Sequence, residues 1–190
     1  MQIGLYFGSF NPVHTGHLII ASSVVNETDL ERVWFVVSPQ NPFKNDHTLL
    51  RARTRLALVK KSIKTDDRFF ASDVEFHLSK PSYTIHTLRR LKSIHPEHSF
   101  SIIMGSDSFQ AIDKWKDFES IIGEYKIFIF RRQGFEVYNN IGADIEILDA
   151  PVIDISSTEI RELIKKGKSV RYLVPEKVRN EIEKKEYYKK

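Results

Sequence analysis

Short runs that are apolar at nearly every position alternate along this chain with stretches whose apolar residues recur at helical spacing. The runs are 2–7 (QIGLYF), 33–37 (VWFVV), 69–76 (FFASDVEF), 100–104 (FSIIM), 125–130 (YKIFIF) and 144–148 (DIEIL). A strand with one wet face alternates apolar and polar residues, whereas strands covered on both faces read as continuous Val, Ile and Phe. Between the runs, Leu18, Ile19, Ala21 and Val25 mark a helix over 16–27. Leu56, Val59 and Ile63 mark another over 51–64, and Ile85, Leu88 and Leu91 a third over 82–94. Strand–helix alternation of this kind predicts an α/β fold: a doubly wound, mostly parallel sheet with helices on both faces. The last third differs. Segments 157–166 and 175–188 read as helices with no strand after them, Gly167 stopping the first and Pro175 opening the second. The expectation is a single domain over 1–190, with 157–190 as a small C-terminal helical extension packed on it.

A chain of 190 residues is long enough to bury a core without staples. It has no cysteine, which excludes disulfides, thiolate metal sites and a cysteine nucleophile. No apolar run approaches the ~18–20 residues that span a bilayer. The opening MQIGLYFGSF has neither a basic start nor a small-residue cleavage site, so the reading is a soluble, cytoplasmic protein with no membrane partner. The formal net charge of +4 hints at a polyanion, but the distribution does not support one. Residues 1–160 carry a net −2 and residues 161–190 a net +6, so the excess belongs to the tail, read here as a solvated helix serving solubility. The body lacks the basic, aromatic-rich face that nucleic-acid binding requires.

Two segments carry recognisable chemistry. GSFNPVHTGHL (8–18) lies between the first strand and the first helix, where open parallel sheets bind ligands. Gly8 and Gly16 let the backbone come close to a ligand, and Ser9 and Phe10 follow in the same turn. His14 and His17 are three apart, so a helix starting near 15 turns both toward one spot at its positive end. Such a pair suits phosphate oxygens, all the more when protonated; a metal pair or a structural turn are the alternatives. DISSTEIR (154–161) has Ser156 followed three positions later by Glu159, a capping-box pattern. Alone it only starts a helix. With Ser157, Thr158, free first-turn N–H groups and Arg161 one turn in, it also forms a second anion site.

Together these segments resemble the two signatures of the nucleotidyltransferase superfamily that carries H-x-G-H, here His14-Thr15-Gly16-His17, with I-S-S-T-x-I-R as the second. The resemblance implies a Rossmann-like nucleotidyltransferase fold in which the histidine pair binds the triphosphate of ATP and His17 contacts the α-phosphate. The second helix start and Arg161 would then hold the β- and γ-phosphates. One departure is that Phe7 and a single Gly8 stand where the family more often has two glycines before the Ser/Thr.

PSYTIHTLRRL (81–91) and MGSDSFQAIDKW (104–115) are similar to the nicotinate-nucleotide adenylyltransferase branch. Taken alone, Tyr83 and Trp115 read as core aromatics. By the resemblance, Tyr83 and Thr84 line a pyridine pocket, Trp115 stacks on the ring, and Gly105 and Asp107 approach adenosine. Lys44 in NPFK reaches the phosphates, and Arg132 in RRQGF lies near the acceptor's phosphate. His86 stands where the branch often has an acidic residue and is read as a helix-surface position. The implied partners are ATP and nicotinate mononucleotide, with Mg²⁺ held chiefly by nucleotide and water and no protein metal site. Nicotinamide mononucleotide and phosphopantetheine are the alternative acceptors, and self-association is left open.

Overall fold

The computed structural model describes residues 1–39 and 49–189. Six strands form one sheet: β1 (Gln2–Gly8), β2 (Arg32–Val37), β3 (Phe69–Ser72), β4 (Ser99–Gly105), β5 (Ile127–Phe130) and β6 (Ile145–Ile147). Their order is β3-β2-β1-β4-β5-β6, and all five neighbouring pairs are parallel. The chain builds outward from β1 to β3, returns to β4, and builds outward again to β6. The order therefore reverses between β1 and β4, where the loops leaving the two strands diverge and open a crevice. Gly8 and Gly105 end those two strands.

The helices are α1 (Thr15–Glu27), α2 (Ala52–Ile63), α3 (Thr84–Ile94), α4 (Ser106–Phe109), α5 (Phe118–Glu124), α6 (Ser157–Lys165) and α7 (Glu176–Lys185). Because successive strand residues point to opposite faces, each central strand feeds two cores. Val33, Phe35 and Val37 of β2 join Ile103 and Phe128 in a cluster completed by Ile20 and Val24 of α1, Val59 of α2, Ile160 of α6, and Val178 and Ile182 of α7. Trp34 and Val36 join Ile3, Leu5, Ile102 and Ile129 on the other face, under Ile85, Leu88 and Leu91 of α3 and Ile121 of α5. This two-sided burial is what the continuous apolar runs encode.

The differences from expectation lie at the edges. The run 69–76 stops being a strand at Ser72, and Val74–His77 forms a 3-10 turn instead. β3 is an edge strand, which leaves Phe70 exposed. Tyr125 closes α5 rather than opening β5. The short helices α4 and α5 were not anticipated. Among the described residues no helix is long and apolar enough to cross a membrane.

The tail is not merely solvated. Val178 and Ile182 are fully buried against α2, Lys61 pairs with Glu181, and Tyr188 is buried beyond the end of α7. The basic residues are the outer face of a helix whose inner face completes a core. Truncating Ile182 to Ala is expected to cost about 2–4 kcal/mol of unfolding free energy, as for other buried aliphatic truncations. The exposed Lys177→Ala should stay within about 0.5 kcal/mol. Urea titrations of both variants decide it, and equal small effects would return the tail to a solvated role.

Candidate active site

The loop after β1 is shaped by what its side chains bury. Phe10 adopts a left-handed φ of 46°, a conformation costing a non-glycine residue about 1–2 kcal/mol. Its ring is held among Tyr6, His17 and Phe35, with the His17 ring centroid 5.0 Å away. Phe10 therefore packs against His17, and its side chain, only 2% exposed, belongs to the core while the residue also borders the cavity. The loop then enters α1 at Thr15. The His14 N–H donates to His17 Nδ1 at 3.1 Å, which leaves His17 Nε2 carrying the proton of the neutral ring. The two imidazoles lie against each other with centroids 3.6 Å apart and planes tilted by 30°. Gly16 is required between them: a Cβ there would lie 2.8 Å from Ile153 and 3.1 Å from His14 Nδ1.

The second anion site docks directly on this loop. Ser156 Oγ caps α6 by accepting from the Glu159 N–H at 3.1 Å. The Ser157 hydroxyl donates to the Pro12 carbonyl at 2.9 Å, and Arg161 Nη1 donates to the Asn11 carbonyl at 2.9 Å. Ser157 has thus committed its hydroxyl proton to the loop, and its backbone N–H is the group it offers an anion. Arg161 ties the two phosphate-facing segments together while lining the same cavity.

Behind the loop sit residues that sequence reasoning missed. Arg55 of α2 is 0% exposed and has carbonyls, not a carboxylate, for partners. It donates to Ser9 O, to Ser38 O at 2.8 Å, to Pro39 O at 2.9 Å and to Leu50 O at 2.8 Å. Burial lowers its pKa to about 10, still far above neutrality, so it stays a cation. The Asn11 side-chain oxygen accepts from the Leu50 N–H at 3.2 Å and from the Tyr188 hydroxyl at 2.9 Å. Lys44 lies outside the described residues.

The other wall comes from α3 and the segment after β4. Glu75, 3% exposed, accepts from Ser82 Oγ at 2.9 Å and from Thr87 Oγ1 at 3.0 Å, fixing the turn that presents Tyr83 and Thr84 at the start of α3. As in any helix, the first N–H groups there have no intrahelical acceptor. Trp115 lines the cavity, and Lys116 places its ammonium 4.6 Å from the Tyr83 ring, a cation the sequence reading did not single out. His86 packs its edge on the Tyr83 ring and does not line the cavity. Gly105 sits close under Asp107 and Phe130: a Cβ there would lie 2.3 Å from Asp107 Oδ1, displacing that side chain, and 3.1 Å from the Phe130 ring. Arg132 is tied in through its N–H, which donates to Ser106 Oγ at 2.9 Å, and its Nε stands 4.0 Å from Asp107.

One cavity of about 760 Å³ joins these walls. Of the predicted site residues, Gly8, Ser9, Phe10, His14, His17, Tyr83, Thr84, Gly105, Asp107, Trp115, Arg132, Ser156, Ser157, Thr158 and Arg161 all line it. Both histidines are neutral here. Burial, reinforced by Arg132, lowers His14 to about 3, and burial, His14 and Arg132 hold His17 well below its usual value. The added charge that protonation would bring to the pair is therefore absent from the free protein. Arg132 influences both histidines, so it faces the phosphate wall as well as the acceptor side.

A twin-helix anion cradle at the reversal point of a parallel sheet defines a nucleotidyltransferase, and the chain belongs to the cytidylyltransferase-like family, whose model matches residues 5–163. Within that family it groups with the nicotinate-nucleotide adenylyltransferases. It is 43% identical to the probable nicotinate-nucleotide adenylyltransferase of Cytophaga hutchinsonii over 99% of this chain and 98% of that protein. It is 42% identical to the one so named from Flavobacterium johnsoniae, with both chains covered in full. The Plasmodium falciparum nicotinic acid mononucleotide adenylyltransferase complexed with NaAD shares the fold, with a TM-score of 0.85, 23% identity and coverage of 99% of this chain and 97% of that one.

The neutral histidines fix a pH dependence. In the unfolded chain a histidine protonates near 6.5, whereas folded His14 resists until about 3. The unfolded state thus binds more protons between those values, so stability is full above pH ~6.5 and falls as pH drops. At pH 5 the loss from His14 is about 2 kcal/mol, and His17 adds in the same direction. Unfolding titrations at pH 7.5, 6 and 5 should show a shallower decline in a His14→Gln/His17→Gln variant than in the parent. Parallel declines would overturn the assignment.

Proposed function

We propose that the protein joins the adenylyl group of ATP to nicotinate mononucleotide, giving nicotinate adenine dinucleotide and pyrophosphate in NAD biosynthesis. The observation that carries this reading is that a phosphate wall and an aromatic wall face one cavity large enough for both nucleotides. An oxygen of the mononucleotide phosphate bonds to the α-phosphorus of ATP as the bridge to the β-phosphorus breaks, and pyrophosphate leaves with the bonding electrons. The acceptor is already ionised at neutral pH, so no protein nucleophile or base is required. The protein's share is alignment and charge stabilisation.

His17 donates its Nε2 proton to the α-phosphate oxygens, where charge builds during transfer. His14 and the first turn of α6 hold the rest of the triphosphate, Arg161 follows the leaving pyrophosphate, and Lys44 extends the same cation set. Gly8, Gly105 and Asp107 border the adenosine; Tyr83, Thr84 and Trp115 hold the pyridine ring, with its carboxylate on the first N–H groups of α3. Lys116 adds a positive charge on that side. Arg132 serves the phosphates of both substrates. The only carboxylates lining the cavity among the described residues are Glu75 and Asp107, and Glu75 is engaged by two hydroxyls. That donor set would suit a Mg²⁺ ion held chiefly by the triphosphate and water, which would supply positive charge to offset the phosphates. Both substrates are soluble nucleotides, which supports a cytoplasmic reaction.

Pyrophosphate release with MgATP should be fastest with nicotinate mononucleotide, ahead of nicotinamide mononucleotide and phosphopantetheine. A preference for either of the latter would overturn the acceptor assignment. His17→Ala should lower kcat by about 100-fold or more while leaving ATP affinity within a few-fold, as expected for a contact that strengthens in the transition state. Trp115→Ala should raise KM for the pyridine nucleotide and leave that for ATP nearly unchanged.

A further inference from the structure

A second cluster of ligating side chains lies at the opposite end of the sheet, in the turn between α3 and β4. His95, Pro96, Glu97 and His98 form a β-turn closed by a hydrogen bond from the His98 N–H to the His95 carbonyl at 3.1 Å. Pro at the second position presets this turn, and the His95 N–H is itself tied to Leu91 O at the end of α3. The turn brings side chains three apart into register: the two imidazole planes are within 7° of parallel, centroids 5.5 Å apart. Trp34 backs both rings edge-on, at 5.3 Å from His95 and 6.1 Å from His98. Glu97 stands between them. Its Oε1 is 3.6 Å from His95 Nδ1 and 3.4 Å from His98 Nε2. One ligand atom of each residue lies within 4.8 Å of the other two.

These separations are what a tetrahedral cation imposes. Bonds of about 2.0–2.1 Å to imidazole nitrogen and carboxylate oxygen place neighbouring ligands about 3.3 Å apart. Two of the three edges are already near that value, and the third, between the two rings, lies within 4.8 Å. Two imidazoles and one carboxylate match zinc-class divalent ions; magnesium and calcium prefer oxygen-only cages. Glu97 is the most exposed of the three, so water can take the fourth position. We propose that His95, Glu97 and His98 form a binding site for a zinc-class divalent cation, separate from the nucleotide cavity by the length of β4, about 20 Å at 3.3 Å per residue. The bound ion pins the end of α3 to the start of β4.

The test is calorimetric titration of zinc chloride into the untagged, metal-free and nucleotide-free protein at pH 7.5, with thermal melting alongside. One zinc ion should bind per chain with Kd below about 10 µM. It should raise Tm, as any ligand specific to the folded state does. His95→Ala/His98→Ala should weaken binding at least 100-fold and abolish the Tm rise, and Glu97→Gln should weaken it about tenfold. His14→Ala/His17→Ala should bind zinc as the parent does, which separates this cluster from the other histidine pair. In the absence of zinc the His95→Ala/His98→Ala variant should match the parent in Tm and in pyrophosphate release, showing that it is folded. Zinc binding that survives in that variant, that disappears instead with His14 and His17, or that is absent below millimolar concentration in the parent overturns the proposal.

Discussion

A guanidinium taken out of water must be surrounded by acceptors, and in this fold the acceptors around Arg55 are the backbone of the site. Its carbonyl partners come from the loop after β1, the two residues after β2 and Leu50, two residues before α2. Stranding any of them would cost the desolvation of a buried polar group on top of the charge itself. The side chain therefore fixes the distance between loops that the sheet alone would leave independent. His14 and His17 inherit their positions from that loop, and α6 is fastened to it through Ser157 and Arg161. The phosphate-facing groups are thus set by backbone carbonyls at least as much as by the helices that carry them.

The opposite wall is organised by a different economy. Glu75 is a buried carboxylate satisfied by two hydroxyls, so its orientation and that of the Ser82–Thr87 turn determine each other. A cationic hub and an anionic hub stand on the two sides of the cavity, each satisfied, among the described residues, by dipoles rather than by a counter-ion. Charges compensated in this way stay preorganised when a charged ligand enters, because no internal ion pair has to be broken first.

Much of the fold was legible because parallel strands leave an unambiguous trace: buried on both faces, they cannot alternate. The trace fades at the edges, where DVEF mixes charge into an apolar run and becomes a 3-10 turn carrying Glu75. The two signature loops were legible through the spacing of their histidines and capping serine. What was not legible was the support. Arg55 shares a helix stripe with Val59 and Ile63, at spacings of four, and a charge on that stripe is the one local sign of a buried role. Lys116 and Tyr188 give no comparable sign, since their partners are far away in sequence. The protonation state of the histidines was not legible either, because burial acts through tertiary neighbours that spacing does not reveal.

The hydrogen bond from Tyr188 to Asn11 joins residues 177 positions apart. During synthesis the loop after β1 emerges 177 residues ahead of the hydroxyl that holds its asparagine. Every strand can be in place on the ribosome while this loop still lacks one of its anchors. The geometry of this loop is therefore completed only after the sheet, and a chain lacking Tyr188 would keep all six strands with the loop short of one anchor.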